Sequence, residues 1–197
     1  LGQLQEAELS TRKAIDLNPN FFNSHFFLAN ILVGQNKLHE AEASLRKTIE
    51  LKCDFAEAHS DLGNILRELG KLQEAELSTR KAIELNPNYA IAHSNLGIIL
   101  KNLGKSEESI IHCIKAVELK PEDDKLIISL AHDLCNKGQY KLASKYLSKN
   151  NSYSCQSLLL GCLLSLDREK EFNDKYKEMN EKNVCNADIG GVVEHAN

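Results

Sequence analysis

The chain has no tryptophan, a single methionine and only three prolines in 197 residues. It also lacks any apolar run approaching the ~20 residues that a membrane-spanning helix requires, and no signal peptide is visible. No charge of one sign dominates: the formal net charge of −4 gives no electrostatic case for nucleic acid. The motifs G-x-S-x-G, H-E-x-x-H and the P-loop are absent, and no two of the six cysteines form a C-x-x-C pair. No catalytic constellation, cofactor or metal site is therefore expected. The thiols read as free cysteines, most of them buried, in a reducing cytoplasm. Cys155 and Cys162, seven apart on one side of a helix, are too far apart for a bridge.

What is present is a period. Ala-Glu-Ala-His-Ser-Asp-Leu-Gly at 56–63 returns as Ala-Ile-Ala-His-Ser-Asn-Leu-Gly at 90–97, a shift of 34 residues. In that phase a small residue recurs as Ala29, Gly63, Gly97 and Ala131. The leucine before it recurs as Leu28, Leu62, Leu96 and Leu130, and the one three places after it as Leu32, Leu66, Leu100 and Leu134. These offsets make one apolar stripe at helical spacing, and the small residue lets a second helix approach. Asn36, Gly70, Gly104 and Gly138 hold one phase and suit the left-handed conformation that ends a helix. Ala7, Ala41, Ala75, Ser109 and Ala143 mark the second helix, which stops near Pro19, Pro87 and Pro121. Helix–turn–helix units at a fixed period of this length stack into one continuous core.

These residues resemble the tetratricopeptide repeat (TPR) family over roughly residues 1–150. The family's usual first-helix aromatic is His here (His25, His59, His93), and Cys53 replaces one closing proline. The resemblance implies an all-α fold, a right-handed α-solenoid of TPR helix–turn–helix repeats with a degenerate C-terminal helical cap. Residues 1–21 align with 69–89 at 18 of 21 positions, so they form a partial repeat, helix B only. With no initiator Met, the chain is expected to be a piece of a longer protein. Four repeats follow within 22–157, at 22–55, 56–89, 90–123 and 124–157. Residues 158–182 are expected to form a capping hairpin, in which Leu160-Gly161 echo the first helix, and 183–197 a tail or the start of a missing domain.

In this family the first helices line a concave groove that holds an extended protein or peptide segment. Helix positions 2, 5, 9 and 12 share one side. They read Asn23, Phe26, Asn30, Val33; Glu57, Ser60, Asn64, Arg67; Ile91, Ser94, Ile98, Lys101; and Lys125, Ile128, His132, Cys135, flanked at position 6 by Phe27, Asp61, Asn95 and Ser129. From this stripe the predicted groove is Asn23, Phe26, Phe27, Asn30, Ser60, Asp61, Asn64, Arg67, Ser94, Asn95, Ile98, Lys101, Lys125 and His132. Asn side chains there can pair with a partner's backbone amides. TPR modules that clamp a C-terminal carboxylate use two Lys, two Asn and an Arg. Here Ser60 and Ser129 stand where a Lys and the Arg belong, so that subclass does not fit.

His25, His59 and His93 cannot share a metal, because successive helix layers lie ~8–10 Å apart and a metal–nitrogen bond is ~2 Å. Packing between helices is their expected role. His59-Ser60-Asp61 has the order of a His-x-carboxylate iron motif, but on a helix i and i+2 diverge by roughly 200°. Two rival functions remain. The segment 157–197 resembles TPR proteins of marine cyanobacteria in which an iron- and 2-oxoglutarate-dependent oxygenase domain can follow. That likeness implies a substrate-presenting or spacer region of a larger enzyme. Self-association through the exposed array ends is the other.

Overall fold

The computed structural model describes residues 2–181, and these are helical throughout, with no strand among them. In order they form α1 (Gly2–Leu17), α2 (Phe22–Gly34), α3 (Leu38–Leu51), α4 (Ala56–Glu68), α5 (Leu72–Leu85) and α6 (Ala90–Asn102). Then come α7 (Ser106–Leu119), α8 (Asp124–Asn136), α9 (Tyr140–Leu147), α10 (Tyr153–Leu164) and α11 (Glu169–Glu181). The chain divides into two compact units, the first ending at His112 and the second beginning at Cys113, inside α7. The expected tail at 183–197 lies outside the described residues.

One device closes each hairpin. Asn36, Gly70, Gly104 and Gly138 all take positive φ, 59° to 76°. This left-handed step turns the next amide back onto the helix just finished. Lys37, Lys71, Lys105 and Gln139 accordingly donate their backbone N–H to Leu32, Leu66, Leu100 and Leu134 carbonyls at 2.8–2.9 Å. After α10 the same place is taken by Asp167 (φ 54°), and Arg168 donates to the Leu163 carbonyl at 3.1 Å.

In the first unit α2 packs on α3 and α4 on α5. Leu28, Ala29, Leu32, Ala41, Leu45, Leu62, Ile65, Leu66 and Ala75 belong to one buried cluster. The glycine in the stripe is sterically required at α4: a Cβ on Gly63 would overlap the Thr79 hydroxyl of α5, which donates to the Ala75 carbonyl. At the next repeat the approach is close enough for Ser109 to donate its hydroxyl to the Gly97 carbonyl at 2.7 Å.

A second lattice joins successive second helices on the outside of this unit. Glu8 accepts from Arg12 and Lys37, and Arg12 also reaches Glu40. The set recurs as Glu42 with Arg46 and Lys71, Arg46 reaching Glu74. It recurs again as Glu76 with Arg80 and Lys105, Arg80 reaching Glu108. Hydrogen bonds from Lys37 and Arg12 pull the Glu8 carboxyl down to about 2. At Glu42 partial burial works the other way, yet Lys71 and Arg46 outweigh it and its pKa is lowered.

The second unit packs α8 with α9 and α10, and α10 with α11. Ile127, Leu130, Ala131, Leu134, Ala143, Leu147, Leu159, Leu160 and Leu163 are buried in it. Its α9 has 8 residues where α5 has 14. In place of a proline, Asn150 makes the stop. Its side chain accepts from the Ser152 N–H at 2.7 Å and donates to Asp124 at 2.7 Å, while its carbonyl accepts from the Gln156 amide. Ser152 then caps α10 through the Cys155 N–H. The closing hairpin therefore starts at Tyr153, and the boundary expected between 157 and 158 falls inside α10. Leu160, not Gly161, takes the buried place, and a Cβ on Gly161 would meet nothing.

Candidate peptide-binding face

In the first unit the predicted face is carried by α2, α4 and α6. Leu28, Leu62 and Leu96 point inward, at 5% exposure or less. With that side fixed, helical spacing turns positions 2, 6, 9 and 12 toward solvent. Asn30, Phe27, Ile98 and Lys101 are exposed, and Asn23, Asp61, Asn64, Arg67, Ser94 and Asn95 are half-buried. Two of the predicted residues do not belong to an open surface. Ser60 is fully buried: it lies against α6, where its hydroxyl accepts from the Asn95 side-chain amide at 3.1 Å. Phe26 turns onto the core, its ring edge-on to Phe55 with centroids 4.9 Å apart. Position 5 is therefore the inner margin of the stripe, fully buried at Ser60 and half-buried at Phe26 and Ser94.

The amides on this face are held in place. Asn64 accepts from Arg67 Nη2 at 2.9 Å and Nε at 3.3 Å, and Asn95 is fixed through Ser60. With its NH2 group so engaged, the Asn95 carbonyl oxygen keeps its acceptor capacity. Between them Asp61 makes no hydrogen bond or ion pair among the described residues. Its carboxyl is pushed up to about 6, first by burial and then by the charge of Glu57 one turn earlier. Tyr89, in the turn before α6, responds to the same spot: burial, then Asp61 and Glu57, push its hydroxyl up to about 12. The face thus carries a half-buried acid between oriented amides, and it also exposes Phe27 (59%), Ile91 and Ile98.

In the second unit Lys125 and His132 lie exposed on α8. Sequence reasoning missed Tyr89, whose hydroxyl feels the charge of Asp61. The signal available was the aromatic before each first helix, Phe21, Phe55 and Tyr89. Glu57 stood in the stripe but was not selected.

The histidines have a shared task. His25, His59 and His93 each place Nε2 2.8–3.0 Å from the carbonyl of the residue six earlier, Pro19, Cys53 and Pro87. A carbonyl can only accept, so each Nε2 carries the proton, and each ring braces the turn into its helix. At His93 the other nitrogen, Nδ1, lies 3.0 Å from Nδ1 of His112. The ring centroids are 5.3 Å apart and the planes 27° from parallel. The nitrogens thus lie nearly on the line joining the rings, the geometry of a hydrogen bond rather than of two lone pairs converging on a metal. Burial, and next His93 itself, lower the pKa of His112.

Helix hairpins of this kind, closed by one repeated turn, define an α-solenoid. Residues 22–52 and 90–123 match the family described as tetratricopeptide repeat, and residues 63–104 match TPR repeat. Solved structures share the fold. MamA is 24% identical, over 86% of this chain and 92% of that one, with a TM-score of 0.68. PilF of Pseudomonas aeruginosa is 18% identical, over 91% and 84%, with a TM-score of 0.74. PilW, a type IV pilus biogenesis factor, is 20% identical, over 98% and 92%, with a TM-score of 0.71. Comparison with curated proteins found no match.

Proposed function

We propose that the chain is a non-catalytic interaction scaffold, holding an extended segment of a protein partner along the exposed side of α2, α4 and α6. The observation that carries this reading is Asp61: a half-buried carboxylate on the solvent-facing side of α4, raised in pKa by burial and by Glu57, that makes no hydrogen bond or ion pair among the described residues. A lysine or arginine of a partner gains most at such a group, since pairing offsets a desolvation cost already present in the free protein. Asn64 and Asn95, pre-set by Arg67 and Ser60, suit the backbone of the same segment. Exposed Phe27 and Ile98 suit its apolar side chains. The repeat family's use of its first helices agrees with this arrangement.

The test is affinity capture on the full chain, quantified by mass spectrometry, with three baits: the parent, Asn64→Ala combined with Asn95→Ala, and Leu77→Ser on the outer side. Captured proteins should be depleted at least tenfold with the double variant and retained with Leu77→Ser. An identical set on all three baits rejects the face.

A further inference from the structure

The second unit brings together two cysteines that the sequence gives no reason to pair. Cys135 near the end of α8 and Cys162 near the end of α10 stand Sγ to Sγ at 3.4 Å. The helices that carry them pack directly. Contact at this distance leaves only a small side-chain rotation before the ~2.05 Å of a sulfur–sulfur bond. The two thiols differ in access. Cys135 is half-buried, on the side that carries Lys125 and His132 in this register, whereas Cys162 is 2% exposed. Burial, and next the contact with Cys135, push the Cys162 thiol up to about 12. Cys155, two turns earlier on α10, is buried, has its Ser152 neighbour and makes no sulfur–sulfur contact among the described residues.

We infer that Cys135 and Cys162 are a reversible dithiol site that exchanges with low-molecular-weight disulfides, closing to an intramolecular disulfide between α8 and α10. Cys135, the accessible partner, is the entry point. Its thiolate attacks one sulfur of the small disulfide and forms a mixed disulfide, and the first small thiolate leaves and takes up the proton that Cys135 lost. Cys162 then attacks the Cys135 sulfur. The second small thiolate departs and takes up the proton given up by Cys162. Two protein thiols are oxidised to one disulfide, and one small disulfide is reduced to two small thiols. Burial disfavours the Cys162 thiolate, so the second step quickens as pH rises. The bond spans 27 residues and ties the fourth repeat to the closing hairpin.

The experiment treats the full chain with excess oxidised glutathione, then alkylates free thiols and maps peptides by mass spectrometry. The parent should lose the alkylatable thiols of Cys135 and Cys162, yield a cross-linked peptide containing both, and recover both thiols with dithiothreitol. Cys162→Ser should stop at one glutathione on Cys135, and Cys135→Ser should give no modification at Cys162. Circular dichroism checks that both variants keep parental helicity. The inference is overturned if the parent stops at glutathione on Cys135. It is equally overturned if the two thiols stay alkylatable while other cysteines react, or if either cross-links to a different cysteine.

Discussion

The two units use the same hairpin and differ in what their second helices carry outside. In the first, every repeat places a glutamate, an arginine, a second glutamate and a lysine where they bind the same set in the next repeat: Glu42, Arg46, Glu74 and Lys71 are one instance. One period later than Glu76, Arg80, Glu108 and Lys105, the sequence has Ile110, Ile114, Leu142 and Gln139. All four charges are gone at once. In the second unit the crevice flanked by α9, α10 and α11 is open, about 950 Å³, with Leu142, Leu159 and Leu163 in its lining and Lys141 and Lys145 at its edge. The interior stripe is thus indifferent to a change that rewrites the exterior. Core packing makes the fold in both units, and the charged lattice adds uniformity to one of them.

That contrast can be broken most severely through the core. Leu66→Ala in the first unit and Leu134→Ala in the second remove side chains at 1% and 0% exposure. Each should cost about 2–5 kcal/mol, read as a drop in denaturant midpoint. A negligible cost at Leu134 would mean that the second unit is not packed as closely as the first.

Asp61→Asn probes a feature of the first unit. A carboxyl raised to about 6 in the folded chain keeps its proton at pH values where the unfolded chain has lost it. Its folded state is therefore favoured below about pH 4 and progressively penalised up to and beyond pH 6. At pH 7.5 the variant should be more stable than the parent by about 2 kcal/mol, and at pH 3.5 the two should coincide. Melting curves across that range check it, and a parent that is the more stable at pH 7.5 would place a hidden cation beside Asp61.

The smallest effect belongs to the lattice. Glu42 accepts from Arg46 and Lys71, both substantially exposed, so Glu42→Gln should cost about 1 kcal/mol or less. The loss should shrink in 1 M salt. Hydrogen exchange should show it in α3 to α5 and leave α8 to α10 unchanged. Glu8, Glu42 and Glu76 are lowered rather than raised, so their contribution is present above the ordinary carboxylate range and fades as pH falls through their folded values. The lattice and Asp61 therefore bend the acid limb of stability in opposite directions.

Periodicity made the interior legible in advance. Leu28, Leu62, Leu96 and Leu130 are buried, and Asn36, Gly70, Gly104 and Gly138 all take the left-handed turn. Periodicity gives direction around a helix but not depth. Ser60 and Asn64 sit one turn apart on the same side, yet the first lies beneath Asn95 and the second meets solvent. Depth depends on the neighbouring helix, which a stripe read from one helix at a time does not contain. The short α9 escaped for a related reason: once the proline is gone, Asn150 and Ser152 set the stop through side-chain bonds that leave no spacing signal. The meeting of Cys135 and Cys162 likewise depends on how α10 packs on α8, which the stripe of either helix alone does not contain.

The recurring quartet of charges has an evolutionary consequence. Any copy that presents it can be joined to any other copy that does, because donor and acceptor sides are the same at each joint. A whole unit of thirty-four residues inserted or excised among α1 to α7 would leave every seam chemically matched. Such an array can change its length in a single recombination, without first retuning its members to one another.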